Sequence, residues 1–162
     1  MALSFILLAI LLVGAVIFMA VTVTLIPKIV VRTAPKDIQE KVLARPDAPV
    51  WKTVTGCILA VLILLCAVGI LIYAGMDAVK NHMNFVQIFV RYLILLEGNK
   101  IFEMICFDYI LLTKMNIFQT FFPETIGCKG YENFGFNLKS QIAKLIIFAV
   151  ISLVTAWILS NI

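Results

Sequence analysis

Residues 85–114 read FVQIFVRYLILLEGNKIFEMICFDYILLTK. The stretch is apolar on average, yet it holds Arg91, Glu97, Lys100, Glu103 and Asp108. Ionisable groups inside a bilayer are costly, so by default they face protein or water and mark a functional site. A single helix from Asn84 to Lys114 would be about 46 Å long at the rise of about 1.5 Å per residue, longer than the roughly 30 Å hydrocarbon core. We therefore expect a continuous, long third segment whose C-terminal part extends toward the cytoplasmic face. A break at Gly98-Asn99 into two half-helices is the alternative. Re-entrant backbone needs cover on every side, which four helices supply poorly.

The surroundings of this stretch explain why a membrane frames the reading. The chain has 162 residues, 63% of them hydrophobic and 14% charged, with a mean hydropathy of +1.09. Soluble domains are about 45–50% apolar and about 25% charged. That gap excludes a cytosolic enzyme, a disulfide-stapled secreted domain and a disordered tail. Residues 2–26 and 51–76 are apolar segments long enough to span, and residues 141–162 form a fourth. The first exceeds a signal-peptide core, so it reads as a retained helix. The expected fold is an all-α integral membrane protein, a four-transmembrane-helix bundle in one domain. Its connections are 27–50, 77–84 and 115–140.

Basic residues in short loops set orientation. The first connection holds Lys28, Arg32, Lys36, Lys41 and Arg45, with Lys52 just beyond, whereas the second holds Lys80 alone. The third holds Lys114 at its edge, then Lys129 and Lys139, with Lys144 following. Both termini are expected outside and loops 27–50 and 115–140 in the cytoplasm. Within the first loop, Thr33 can cap a short helix over residues 36–43 that ends at Arg45-Pro46, with Ile38 and Val42 on one face. The second cytoplasmic loop mixes Phe121, Phe122, Tyr131, Phe134 and Phe136 with glycines, a composition suited to an interface.

Candidate chemistry concentrates on the third segment. At about 100° per residue, Glu97, Lys100, Glu103 and Asp108 share one broad face and Arg91 lies on the other side. Glu97–Lys100 and Lys100–Glu103 are each three apart and can pair along a helix. Counted from Asn84, Glu97 to Glu103 lie roughly 20–29 Å in, on the inner-leaflet side. Asp108 and Glu124 are the candidate acids for catalysis. Arg32, Lys36 and Arg45 are candidates for an anionic head group.

Other signals are weaker. Cys57, Cys66, Cys106 and Cys128 form no CxxC pair, and His82 stands alone, so no metal site is expected. No motif names a cofactor, and Gly127-Cys-Lys-Gly130 lacks the strand–loop–helix setting of a phosphate loop. Gly56 and Ala60 form a small-residue packing pattern. The partners expected are membrane lipids, a second copy of the chain or another membrane protein, and not nucleic acid.

Three readings follow from these residues. In the first, the charged face binds or transports an ion, a small molecule or a lipid-like substrate. In the second, it belongs to an enzyme acting on a lipid or isoprenoid at the cytoplasmic interface. In the third, its charges dock a membrane partner and the chain is a non-catalytic subunit.

The orientation is open to direct test. In a background without native cysteines, Lys41→Cys is expected to resist impermeant thiol reagents in intact cells. Ready labelling would overturn the assignment.

Overall fold

A computed structural model of the chain describes residues 2–115, 117–133 and 135–162. Phe134, one of the loop aromatics, lies outside them. The described residues are helical, with no strand. In chain order the α-helices are α1 (Ala2–Leu25), α2 (Pro27–Val30), α3 (Lys36–Leu43), α4 (Val50–Lys80), α5 (Phe85–Phe102), α6 (Ile117–Phe121) and α7 (Leu138–Leu159). A π-helical segment, Glu103–Lys114, follows α5 directly. Short 3-10 turns at Val31–Thr33, Pro123–Thr125 and Lys129–Glu132 complete the loops.

Three helices, α1, α4 and α7, are long and apolar enough to cross a membrane. Their large side chains, such as Phe5, Leu65 and Trp157, stand exposed, as lipid-facing residues would. The fourth span expected from sequence does not meet the same standard. Helix α5 is shorter, and Arg91, Glu97 and Lys100 interrupt its apolar character.

The chain divides into two compact units, residues 1–15, 64–103 and 137–162, and residues 16–63 and 104–136. In the first, α5 is the enclosed element. Leu95 packs with Leu7 of α1 and Ala74 of α4, while Ile88 and Tyr92 pack with Ala78 of α4 and Ala156 of α7. Ala74-x-x-x-Ala78 and Ser152-x-x-x-Ala156 are fully buried small residues, which let helix backbones approach closely. Gly75 serves the same end. A Cβ there would lie 2.8 Å from the Tyr92 hydroxyl, which donates to the Leu71 carbonyl at 2.8 Å.

The α4–α5 turn is short because both helix ends are closed locally. Met83 N–H donates to Ala78 O and His82 N–H to Val79 O, a Schellman arrangement with His82 in the left-handed region at φ 48°. Asn84 then caps α5 in a reciprocal box with Gln87.

In the second unit the two loops fold on each other. Ile38 and Val42 of α3 are buried with Val31, Leu112, Phe122, Cys128 and Tyr131. Helix α3 has the bounds and the apolar face read from sequence, but its cap differs. Pro35 occupies the N-cap position without a side-chain bond, and Thr33 instead donates back to Val30 O at 3.0 Å. The residues before Pro35 close a 3-10 turn, which carries Thr33 away from the helix start. Asp37 takes over the tethering: Oδ1 accepts from Ile38 N–H and Oδ2 from Gly130 N–H at 2.8 Å.

Gly130 should therefore tolerate no side chain. An added Cβ would meet Asp37 Oδ1 and lie 2.6 Å from Pro35 Cβ, and overpacking of this kind costs about 1–3 kcal/mol. Gly69, with nothing within 4 Å of its Cβ position, provides the contrast. Gly130→Ala is expected to lower the melting temperature in mild detergent, while Gly69→Ala leaves it unchanged or raises it. Equal responses would contradict the loop-on-loop packing.

Candidate functional site: the charged face of α5

Arg91 is the deepest cation, with a side chain only 4% exposed. Its Nη1 donates to Asp77 Oδ2 at 2.7 Å and to the Ala74 carbonyl at 2.9 Å. Both acceptors lie in the last turns of α4. Asp77, the first residue after the second apolar segment, is not among the candidates that the sequence singled out. One signal could have found the pair: Asp77 and Arg91 stand equally far from Asn84, and residues equidistant from a tight turn meet across an antiparallel hairpin. The buried pair saves Arg91 from the cost of an isolated ion, although its Nε remains without a partner.

Toward the C-terminal end of α5, Lys100 is buried and pairs with Glu103 at 3.1 Å. Asn99 Nδ2 donates to the same carboxylate at 3.1 Å. Glu97 stands apart from this group. Of the two pairings that spacing allowed for Lys100, only the one with Glu103 forms. The Glu97 Oε1 atom is buried without a hydrogen-bond partner, as is Asn99 Oδ1. Two cations on α5 thus each have a carboxylate, and Glu97 is the acid left over.

The helix runs without interruption through Gly98-Asn99. At Glu103 its hydrogen bonding lengthens to the i→i−5 pattern, seen again where Met115 N–H donates to Ile110 O at 2.8 Å. A π-turn is wider than an α-turn, so a projection at one fixed angle does not hold beyond Glu103. Asp108 belongs to the second unit. There it lines a cleft of about 50 Å³ with apolar residues including Phe107, Leu112, Phe118 and Phe136.

The remaining candidates also lie in the second unit. Arg45 donates from Nη2 to Glu124 Oε2 at 2.7 Å and to the Phe121 carbonyl at 3.0 Å, and its Nε pairs with Glu124 Oε1. The guanidinium sits 5.0 Å from the Phe122 ring centroid. Sequence reading held Arg45 for a head group and Glu124 for acid–base chemistry, whereas here each occupies the other. Arg32 and Lys36 are exposed. Lys28 bonds Asp47 at 2.7 Å, which holds the Asp47 carboxyl below its ordinary range. Tyr131 and Thr125 share a buried hydroxyl contact of 2.6 Å, and burial pushes the Tyr131 phenol upward. Among the described residues no group of three His, Cys, Asp or Glu side chains could hold a metal ion.

The Arg91–Asp77 pair should behave as a unit. Removing one partner of a buried pair costs about 3–5 kcal/mol, because the other charge stays buried alone. Arg91→Met and Asp77→Leu are each expected to lower the melting temperature steeply. The double variant should recover most of the loss, and additive losses would contradict the pairing. Comparison with protein-family models, curated proteins and solved structures finds no match to the chain.

Proposed function

We propose that the chain is a four-span membrane protein, with α5 as its third span, that handles a cation or proton at Glu97. The observation that carries this reading is the buried Glu97 oxygen without a hydrogen-bond partner, on a helix whose two cations are already matched. Enclosure of α5 by α1, α4 and α7 residues supports its place as a span, since charged helices survive in a bilayer by facing protein. The basic connections support both termini outside and loops 27–50 and 115–140 in the cytoplasm.

The chemistry follows from charge balance. Arg91 with Asp77, and Lys100 with Glu103, are neutral pairs. Glu97 adds one negative charge where water is scarce, and a cation or a proton there removes the desolvation cost. Asn99, whose Oδ1 is buried and unbonded, adds a second acceptor in this stretch. Movement of the ligand across the membrane would use a second copy of the chain, because four helices enclose little space on their own.

Glu97→Gln separates this reading from a structural one. A ligand that binds only the folded state stabilises it by about 2.7 kcal/mol at a hundredfold excess over Kd. Wild-type protein in mild detergent is expected to melt higher as one of the protons, alkali or alkaline-earth cations is titrated in. Glu97→Gln should melt at least as high as the wild type without that cation, because it carries no unmatched charge, and should not respond to it. A variant that melts lower and responds equally would overturn the proposal.

A further inference from the structure

The second unit holds a polar cavity of about 290 Å³ that the charged face of α5 does not use. Its lining includes Thr113, Lys114, Gln119, Lys129, Tyr131 and Glu132. That volume is at the small end of ligand pockets, which run from about 300 to 1,000 Å³, and it suits a head group rather than a whole lipid.

The charges around it are uncommitted. Among the described residues, Lys114, Lys129 and Glu132 enter no ion pair, although four pairs form elsewhere. The Lys114 ammonium rests 5.5 Å from the Tyr109 ring centroid, a contact that leaves its other donors available. The segments that line it are held by hydrogen bonds within the unit. Asp37 anchors Gly130 N–H, Thr125 bonds Tyr131, and Gly127 turns the chain at φ +82°, a conformation that favours glycine.

The neighbouring surface points to the source of the ligand. Met115, beside Lys114, is 59% exposed, and Ile126, beside Gly127, is 62% exposed. Large exposed apolar side chains next in the chain to residues that line a lysine-bearing cavity fit a membrane interface, where apolar groups enter lipid and cations meet phosphates. Two ammonium groups and one carboxylate also match a zwitterion better than a bare anion.

We propose that this cavity binds the head group of an amine-bearing phospholipid, with Lys114 and Lys129 on the phosphate and Glu132 on the ammonium. The site shares no residue with α5, so it stands or falls apart from the Glu97 reading.

Native mass spectrometry of the full chain, with phosphatidylethanolamine or phosphatidylglycerol added to detergent, tests it. Wild-type protein is expected to retain the ethanolamine lipid over the glycerol lipid. Lys114→Gln with Lys129→Gln should reduce that retention about tenfold or more. Lys41→Gln with Lys139→Gln, the same change of charge elsewhere, should leave it within about twofold. Glu132→Gln should erase the preference between the two lipids.

Equal losses in the two double variants would reduce the effect to net charge and overturn the proposal. A preference unchanged in Glu132→Gln would remove the assigned role of that carboxylate. Displacement of the lipid by excess inorganic phosphate would make free phosphate the ligand and contradict a lipid source. The wild-type comparison of the two lipids and of phosphate decides the matter even if a variant fails to fold.

Discussion

A guanidinium cannot lie buried among apolar helices unless something nearby carries the opposite charge. Arg91 meets that demand with Asp77 and the Ala74 carbonyl, and the consequence reaches well beyond one bond. The pair fixes the pairing of α4 with α5 across the turn at Asn81–Asn84. That pairing sets Ala74, Gly75 and Ala78 beside Tyr92 and Leu95. Their small side chains let α5 sit close enough for Tyr92 to reach the Leu71 carbonyl. Close approach is what drives helix association in lipid, where the hydrophobic effect offers little.

The same accounting of charge isolates Glu97. Each cation on α5 has found a carboxylate, so the face is not a diffuse polar patch. It carries one closed pair, Lys100 with Glu103, and one acid with an unpartnered oxygen, while the Arg91–Asp77 pair lies on the other side of α5. Lys100 lay within reach of Glu97 by spacing. Its bond to Glu103 instead leaves the buried Glu97 Oε1 without a hydrogen-bond partner.

Much of the fold was legible because apolar runs and their charged interruptions reflect a direct transfer cost. The three apolar helices lie close to the segments read from sequence, and α3 buries the Ile38 and Val42 face that its spacing implied. What sequence could not carry was any property set by non-local contact. Asp37 holding Gly130, and Arg45 closing on Glu124, join residues more than seventy positions apart. Composition presented these loops as one basic and one aromatic element, yet they share a core. The π-helical segment was also hidden, because no local residue type marks the change of hydrogen-bond register at Glu103. A projection at one fixed angle therefore does not extend to Asp108, whereas the pairing that spacing allowed between Lys100 and Glu103 forms.

As a third span, α5 has to lie within the bilayer and be enclosed by its neighbours, although it is the least apolar of the four long helices. Hydrogen–deuterium exchange in lipid nanodiscs measures this directly, because amides in an enclosed span open only with the folded unit. For a spanning α5, residues 85–102 are expected to be protected as strongly as the central parts of α1, α4 and α7. Rapid exchange through Arg91, Glu97 and Lys100, with the other three helices still protected, would place α5 in contact with water and contradict its place as a span.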